Sequence, residues 1–298
     1  MTETLSIVGA GRVGSALGRR MRELGWRIGA VVTRNESSAR RAVRFIGGGT
    51  PQEGLSRRIL ASTCILIATP DAAIEEVAGE LARIGAEELR GQVVLHTSGA
   101  LDSSALNAVR ACGAAAGSMH PLQTFNGVTV PPLEGKIFAI EGDAMAVRTA
   151  RKIARAFGAA PSPIEARNKP LYHAAGALAA GHTLVVVEAA VQLLMSLGMK
   201  RSEAIRALLP MTRQVLQNYE HLGSRAAWTG PLARGDYEVV AKHLKVLQEH
   251  AAEYGDAYEA LNRLAERILA RDTAGSLPPV ARIQQRRKAK AQSLGGKG

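Results

Sequence analysis

The chain has 298 residues, 46% of them hydrophobic, enough apolar side chain for a sizeable core and too much for a disordered protein. Its 38 lysines and arginines against 26 acids give a net charge of +12, half of it from Arg282, Arg286, Arg287, Lys288, Lys290 and Lys297 near the C-terminus. The two cysteines, Cys64 and Cys112, exclude a disulfide scaffold and a multi-cysteine zinc site, so no metal is expected and a reducing, cytoplasmic setting is.

In chain order, short apolar runs at residues 5–8, 28–32, 64–68, 93–96, 114–119 and 137–140 predict strands. Most are separated by helical spacing, as in Val13, Ala16, Leu17, Met21 and Leu24. Such alternation predicts an α/β domain with a doubly wound, mainly parallel sheet. After Glu165 strand signals vanish, and long helices are predicted over 168–197, 201–222, 237–254 and 256–271, an all-α domain. Pro161, Pro163 and Pro170 mark the change. The domains expected are therefore 1–165, 166–275 and a disordered basic tail over 276–298. The apolar run 174–195 is interrupted by Gly181, His182, Glu188 and Gln192, which predicts a buried helix rather than a membrane span. The polar residues flanking the first strand argue against an export signal.

The glycine-rich turn Gly9-Ala10-Gly11-Arg12-Val13-Gly14 leaves a strand and opens a helix. Its glycines allow a tight turn, room for a pyrophosphate and close helix–strand contact, and the helix N-terminus offers donors to the phosphate. In that context the pattern predicts a dinucleotide site made by Gly9, Gly11, Arg12, Val13 and Gly14. The second strand ends Thr33-Arg34 with no acid for the ribose hydroxyls, and Arg34 suits a 2′-phosphate, so NADP is expected over NAD. Arg40 and Arg41 follow, either as further cations or as a solvated helix face. After the next strand, Thr69 and Pro70 are expected to wall the nicotinamide side, and Asp71 to cap a helix.

Two more strand ends carry polar groups at the ligand edge of such a sheet. Ser98, in His96-Thr97-Ser98-Gly99, is placed to bond a substrate carbonyl or carboxylate. His120, in Ser118-Met119-His120-Pro121, is placed to donate a proton or to serve a structural role, whereas His96 inside its strand is read as structural. Lys169, Tyr172 and His173 open the first long helix, with Lys169 and His173 on one face. Each can move a proton, and Lys169 is alternatively a solvated first-turn lysine. His182 is a polar interruption further along. In Thr229-Gly230-Pro231-Leu232-Ala233-Arg234-Gly235-Asp236 the turn residues fix a loop, with Arg234 either paired to Asp236 or holding an anion.

In combination, Gly9–Gly14, His96–Gly99, residues 120–124, 172–175 and 229–236 resemble the Rossmann-like proteins that carry a C-terminal domain of unknown function. These belong to the 6-phosphogluconate dehydrogenase-like superfamily, with pyrroline-5-carboxylate reductase, 3-hydroxyisobutyrate dehydrogenase and the deazaflavin-dependent NADP reductases. The resemblance spans about residues 5–270. It implies a Rossmann domain, a helical dimerising domain and a site in the cleft between them. Where the hydroxyacid dehydrogenases place asparagine four residues after a lysine, this chain has His173 after Lys169.

The expectation is an NADP-dependent oxidoreductase moving a hydride between nicotinamide and a small carbonyl, imine or hydroxy compound. Its site would comprise His120, Lys169, His173 and Ser98. The alternative is a non-catalytic NADP-binding sensor. A homodimer is expected, because 174–195 is too apolar for a few helices to cover and Ala175, Gly176, Ala179 and Ala180 permit close approach. No membrane partner and no specific nucleic acid are expected, the tail having no aromatic residue to stack on a base.

Overall fold

The computed structural model describes residues 3–269. The expected tail over 276–298 lies outside them. The chain divides into two compact units, one ending at Gly181 and the other starting at His182.

The first unit runs β1 (Thr4–Val8), α1 (Arg12–Glu23), β2 (Arg27–Thr33), α2 (Glu36–Ile46), β3 (Thr50–Glu53), β4 (Cys64–Ile67), α3 (Ile74–Gly85), β5 (Val93–His96), α4 (Asn107–Ala111), β6 (Ala115–Pro121), β7 (Ile137–Gly142), α5 (Ala144–Ala156), β8 (Ala160–Pro163) and α6 (Lys169–Ala177). Its strands form one eight-stranded sheet in the order β3-β2-β1-β4-β5-β6-β7-β8. All pairs are parallel except β6 with β7. The strands β1, β4 and β5 read as apolar runs because both sheet faces are covered. Leu5, Ile7, Leu17, Met21, Phe138 and Phe157 fill the core on one face, and Val8, Ile65, Ile67, Ile74, Leu81 and Val94 fill it on the other. This is the doubly wound architecture expected.

Two strands escape the sequence pattern, β3 (TPQE) and β8 (APSP). Both are outermost in the sheet, where a proline costs no ladder bond on its open side and an apolar alternation is not needed. From β1 the chain adds β2 and β3 on one side and then crosses to add β4 on the other, so the carboxyl ends of β1 and β4 flank a crevice of the kind that binds ligands in open α/β sheets.

Helix α6 belongs to the first unit, although the sequence pattern groups it with the helices that follow. The predicted helix over 168–197 is continuous but changes pitch. α6 passes into a π-helical stretch, Leu178–His182, and then into α7 (Thr183–Ser196). The helical run Ala166–Ser196 contains an 18-residue window with a mean hydropathy of 1.7 and is long and apolar enough to cross a membrane.

The second unit continues with α8 (Arg201–Leu222), α9 (Ser224–Ala227), α10 (Pro231–Arg234), α11 (Tyr237–His250) and α12 (Ala252–Ile268). Glu188 of α7 is held by both terminal nitrogens of Arg201, at 2.7 and 2.9 Å, and that pairing keeps its carboxyl at about 2. The expectation of a buried helix is not met among the described residues: Val191 is the buried residue of α7, while Leu184 and Val185 are 68% and 64% exposed. The remaining helices of this unit do not wrap it. The loop at 229–236 forms the predicted turn, with Gly230 and Gly235 at φ of 106° and 77° and Arg234 paired to Asp236 at 2.8 Å.

The glycines of the first turn do different jobs, and this is testable. A Cβ on Gly14 would lie 2.6 Å from the Gly9 carbonyl oxygen, whereas one on Gly11 would meet nothing within 4 Å. Gly14→Ala should destabilise by about 1 to 3 kcal/mol, as overpacking does. Gly11→Ala meets no atom and should cost less, about 0.5 to 1 kcal/mol, the difference between glycine and alanine at an N-cap. Thermal denaturation of both variants checks the contrast.

Candidate active site

The turn between β1 and α1 is built to receive an anion. Gly9, at φ 81°, packs so tightly that a Cβ would lie 2.6 Å from the Thr69 amide nitrogen. Its amide donates to the Val32 carbonyl at 2.9 Å, which ties the turn to β2. Gly11 caps α1 with no side-chain hydrogen bond, so the first-turn N–H groups are left for a ligand. The open space beside Gly11 is where a pyrophosphate fits. Across the crevice, the Thr69 hydroxyl oxygen is buried without a hydrogen-bond partner. An uncapped helix, an open glycine and an orphaned hydroxyl together fit a dinucleotide.

At the end of β2, Thr33 donates its hydroxyl to the Asn35 carbonyl at 2.7 Å, and the Asn35 side chain caps α2. Arg34 is exposed and makes no hydrogen bond or ion pair among the described residues. Arg40 pairs with Glu36 at 2.7 Å and Arg41 donates to Ser38, so both belong to a solvated helix face. Arg34 alone of the three is left to meet a phosphate.

A second cluster occupies the same sheet edge, at the ends of β5 and β6 and the start of α6. His120 Nδ1 lies 3.0 Å from the Tyr172 hydroxyl, and its ring meets those of Tyr172 and His173 edge-on, with centroids 5.5 Å apart in each case. Gly99 packs beneath them: a Cβ there would clash with His173 Nδ1 and lie 2.8 Å from His120 Nε2. A side chain at 99 is therefore incompatible with the imidazole pair. Tyr172 is half-buried and His173 exposed.

Burial sets the electrostatics. Desolvation, then the charges of His173 and Lys169, push His120 down to about 4. The ring is neutral at pH 7, so it can donate a hydrogen bond through Nε2 when Tyr172 donates to Nδ1, but it is not an imidazolium acid. Desolvation likewise pushes His96 down to about 4, as expected for a structural histidine. Its Nδ1 accepts from the Ser98 amide at 3.2 Å, leaving Nε2 to donate to the Asp102 carbonyl at 3.1 Å. Burial pushes the Tyr172 phenol up to about 12 and Lys169 down to about 8.

Ser98 and Lys169 stand behind this surface. The Ser98 hydroxyl donates to Asp71 Oδ2 at 2.8 Å and accepts from the amides of Ala100 and Leu101, so its bonding capacity is filled by the protein. Asp71 accordingly does not cap a helix; it ties the loop after β4 to the loop after β5. Lys169 has no exposed surface, which excludes the solvated first-turn lysine. Glu141 goes unnoticed in the sequence, where an acid ending the apolar run 137–140 is the available signal, and Gly99 is read there as part of a motif without a role of its own.

The two buried histidines give a pH signature. Each binds its proton about 2.5 units lower folded than unfolded, so between pH 6.5 and about 4 the unfolded chain holds more protons and stability falls as the pH falls. For fully buried His96 the loss reaches as much as about 3 kcal/mol. Denaturant titrations at pH 7 and pH 4.5 should show it, and His96→Asn should flatten the slope.

The site can now be set beside known proteins. A Rossmann-like domain model matches residues 3–121, and the domain of unknown function DUF2520 matches residues 136–265. Comparison with curated proteins gives no match. A crystal structure from Bacteroides fragilis, provisionally described as an NADP oxidoreductase, superposes with a TM-score of 0.72 at 21% identity, covering 89% of this chain and 98% of that one. The imine reductase of Streptomyces aurantiacus gives 0.61 at 16% identity over 90% and 96% of the two chains. The reductive aminase of Aspergillus terreus, solved with NADPH and ethyl-5-oxohexanoate, gives 0.63 at 19% over 90% and 93%. At these identities the likeness is one of fold. The chain thus carries a Rossmann-like domain followed by a DUF2520 domain, in a fold similar to that of these reductases.

Proposed function

We propose that the protein is an NADP-dependent oxidoreductase acting on a small carbonyl, imine or hydroxy compound. The observation that carries this reading is the meeting, on one sheet edge, of a dinucleotide turn and a cluster of two imidazoles and a phenol. A sensor needs the turn but not the cluster. The reductases among the similar folds, one of them solved with NADPH, support the same reading.

Gly9, Gly11, Arg12, Val13 and Gly14 would hold the pyrophosphate, Arg34 the 2′-phosphate, and Thr33, Thr69 and Pro70 the flanking walls. Bound there, NADPH supplies a hydride. His120, neutral and held by Tyr172, donates a hydrogen bond to the substrate oxygen or nitrogen through Nε2. As the hydride adds to carbon, the substrate oxygen or nitrogen takes its balancing proton from water, which exposed His173 beside Gly99 would help to relay. Ser98 and Lys169 position the loop from the core side.

The second unit completes the reading as a soluble, cytoplasmic homodimer. The apolar surface of α7, with Leu184, Val185 and Val186 exposed, is of the kind that a second copy covers. A membrane would have to accept Glu188 within α7 and its partner Arg201 at the start of α8. Light scattering at micromolar concentration without detergent should give twice the chain mass; a monomer, or recovery only in detergent, would overturn the dimer.

Calorimetric titration should show NADPH binding more tightly than NADH. Arg34→Asp should weaken NADPH by roughly 10- to 100-fold, the worth of a charge-assisted pair, and leave NADH nearly unchanged. Gly11→Val should abolish binding of both with the fold intact.

A screen of keto acids, imines and hydroxy acids against NADPH absorbance should find turnover. His120→Ala should lower it by about 100-fold or more with NADPH affinity retained. Tight NADPH binding with no turnover across the panel would favour the sensor instead.

A further inference from the structure

Lys169 is the first residue of α6, yet its ammonium is enclosed on every side. It donates to the Ser98 carbonyl at 3.0 Å and to the Ser118 hydroxyl, and lies 4.0 Å from Glu141 Oε1. Three N–H bonds thus face three oxygens. Glu141 stands directly opposite Ser118 in the antiparallel β6–β7 ladder, so both oxygens come from one rung. Its other oxygen, Oε2, accepts from Ser103 at 2.8 Å, and Ser103 in turn accepts from Arg110, which is paired with Asp143 at 3.0 Å. Glu141 Oε1 is buried with no hydrogen-bond partner. The carboxylate is braced from behind and turned toward the ammonium.

Building on the reductase reading, we infer that Lys169, held by Glu141, is a positioning residue that fixes the Ser98–Gly99 peptide and His120 rather than the group that passes a proton to substrate. The Ser98 carbonyl is drawn inward by Lys169. In a trans peptide the following amide then points the opposite way, and the Gly99 N–H makes no hydrogen bond among the described residues. Gly99 packs against both His120 Nε2 and His173 Nδ1, so the seat of this peptide sets the seat of the imidazoles. The groups that act on Lys169 come from four elements: Glu141 on β7, Asp102 after β5, Asp71 after β4 and His96 on β5. Those that act on His120 are His173 and Lys169 on α6, Asp71 and His96. The lysine thereby reaches His120 through its charge as well as through the peptide.

Two experiments on the full chain decide this. In the wild type, a water-soluble acylating reagent followed by mass spectrometry should label exposed Lys136 and Lys152 and leave Lys169 unmodified. Ready labelling of Lys169, slowed by NADPH, would overturn the proposal by showing an amine open to the site. Second, Lys169→Met should lower Tm by leaving the Glu141 carboxylate buried alone, and adding Glu141→Gln should recover most of the loss. In that double variant the His120 ring, followed by proton NMR, should titrate about half a unit or more above its wild-type value, because a cation has been removed. NADPH affinity should stay within twofold.

A His120 titration that does not move in a folded double variant would reduce the pair to packing and overturn the proposal. If the double variant does not fold, the labelling of the wild type still decides. Failure of the wild type to bind NADPH would sink the reductase reading separately, without touching either lysine result.

Discussion

A charged amine taken out of water must find its solvation in the protein, and the ends of β5, β6 and β7 are arranged by that requirement. Lys169 reaches a backbone carbonyl, a hydroxyl and a carboxylate, each from a different strand or loop. An isolated buried ammonium would cost several kcal/mol or lose its proton. Its lowered proton affinity, to about 8, measures how incompletely the neighbours replace water. What the arrangement yields is rigidity. The helix that carries Tyr172 and His173 is bolted at its first residue to the loop that carries Ser98 and Gly99. The imidazole pair is held between them.

The sheet supplies the other half of the constraint. Because β1, β4, β5 and β6 run parallel, their carboxyl ends share one edge, and whatever follows each strand is delivered there. The glycine turn, Thr69, Asp71, Ser98, Gly99 and His120 are all such residues. This is why the positions are far apart in sequence and near in space, and why the direction of the strands mattered more than any single motif. Asp71 and Ser98 show the delivery at work: two strand-end loops, tied by one 2.8 Å hydrogen bond.

Much of this was legible in the sequence where a local rule applies. Apolar runs placed six of the eight strands, and the glycine spacing located the turn, because burial and backbone sterics leave direct marks on residue type. The two edge strands left no mark, being polar and proline-bearing. The site was half legible. His120 and Lys169 stood out as polar groups at strand and helix ends, but their burial did not, and burial is what makes one neutral and seals the other. The roles of Glu141 and Gly99 depend on a cross-strand rung and on a distance to α6, neither of which has a counterpart in spacing along the chain.

The second unit poses the opposite problem to Lys169, apolar surface that the described residues leave exposed. The pitch change at Leu178–His182 falls where the two units meet in sequence, and α7 beyond it carries three consecutive exposed aliphatics, Leu184, Val185 and Val186. In a helix those three point in directions about 100° apart, so no single flat contact covers them all. A neighbour must wrap the helix from more than one side. Leu216 and Tyr219 on α8 and Leu261 and Leu264 on α12 are also exposed. In the homodimer proposed above, a second copy would supply several such helices at once.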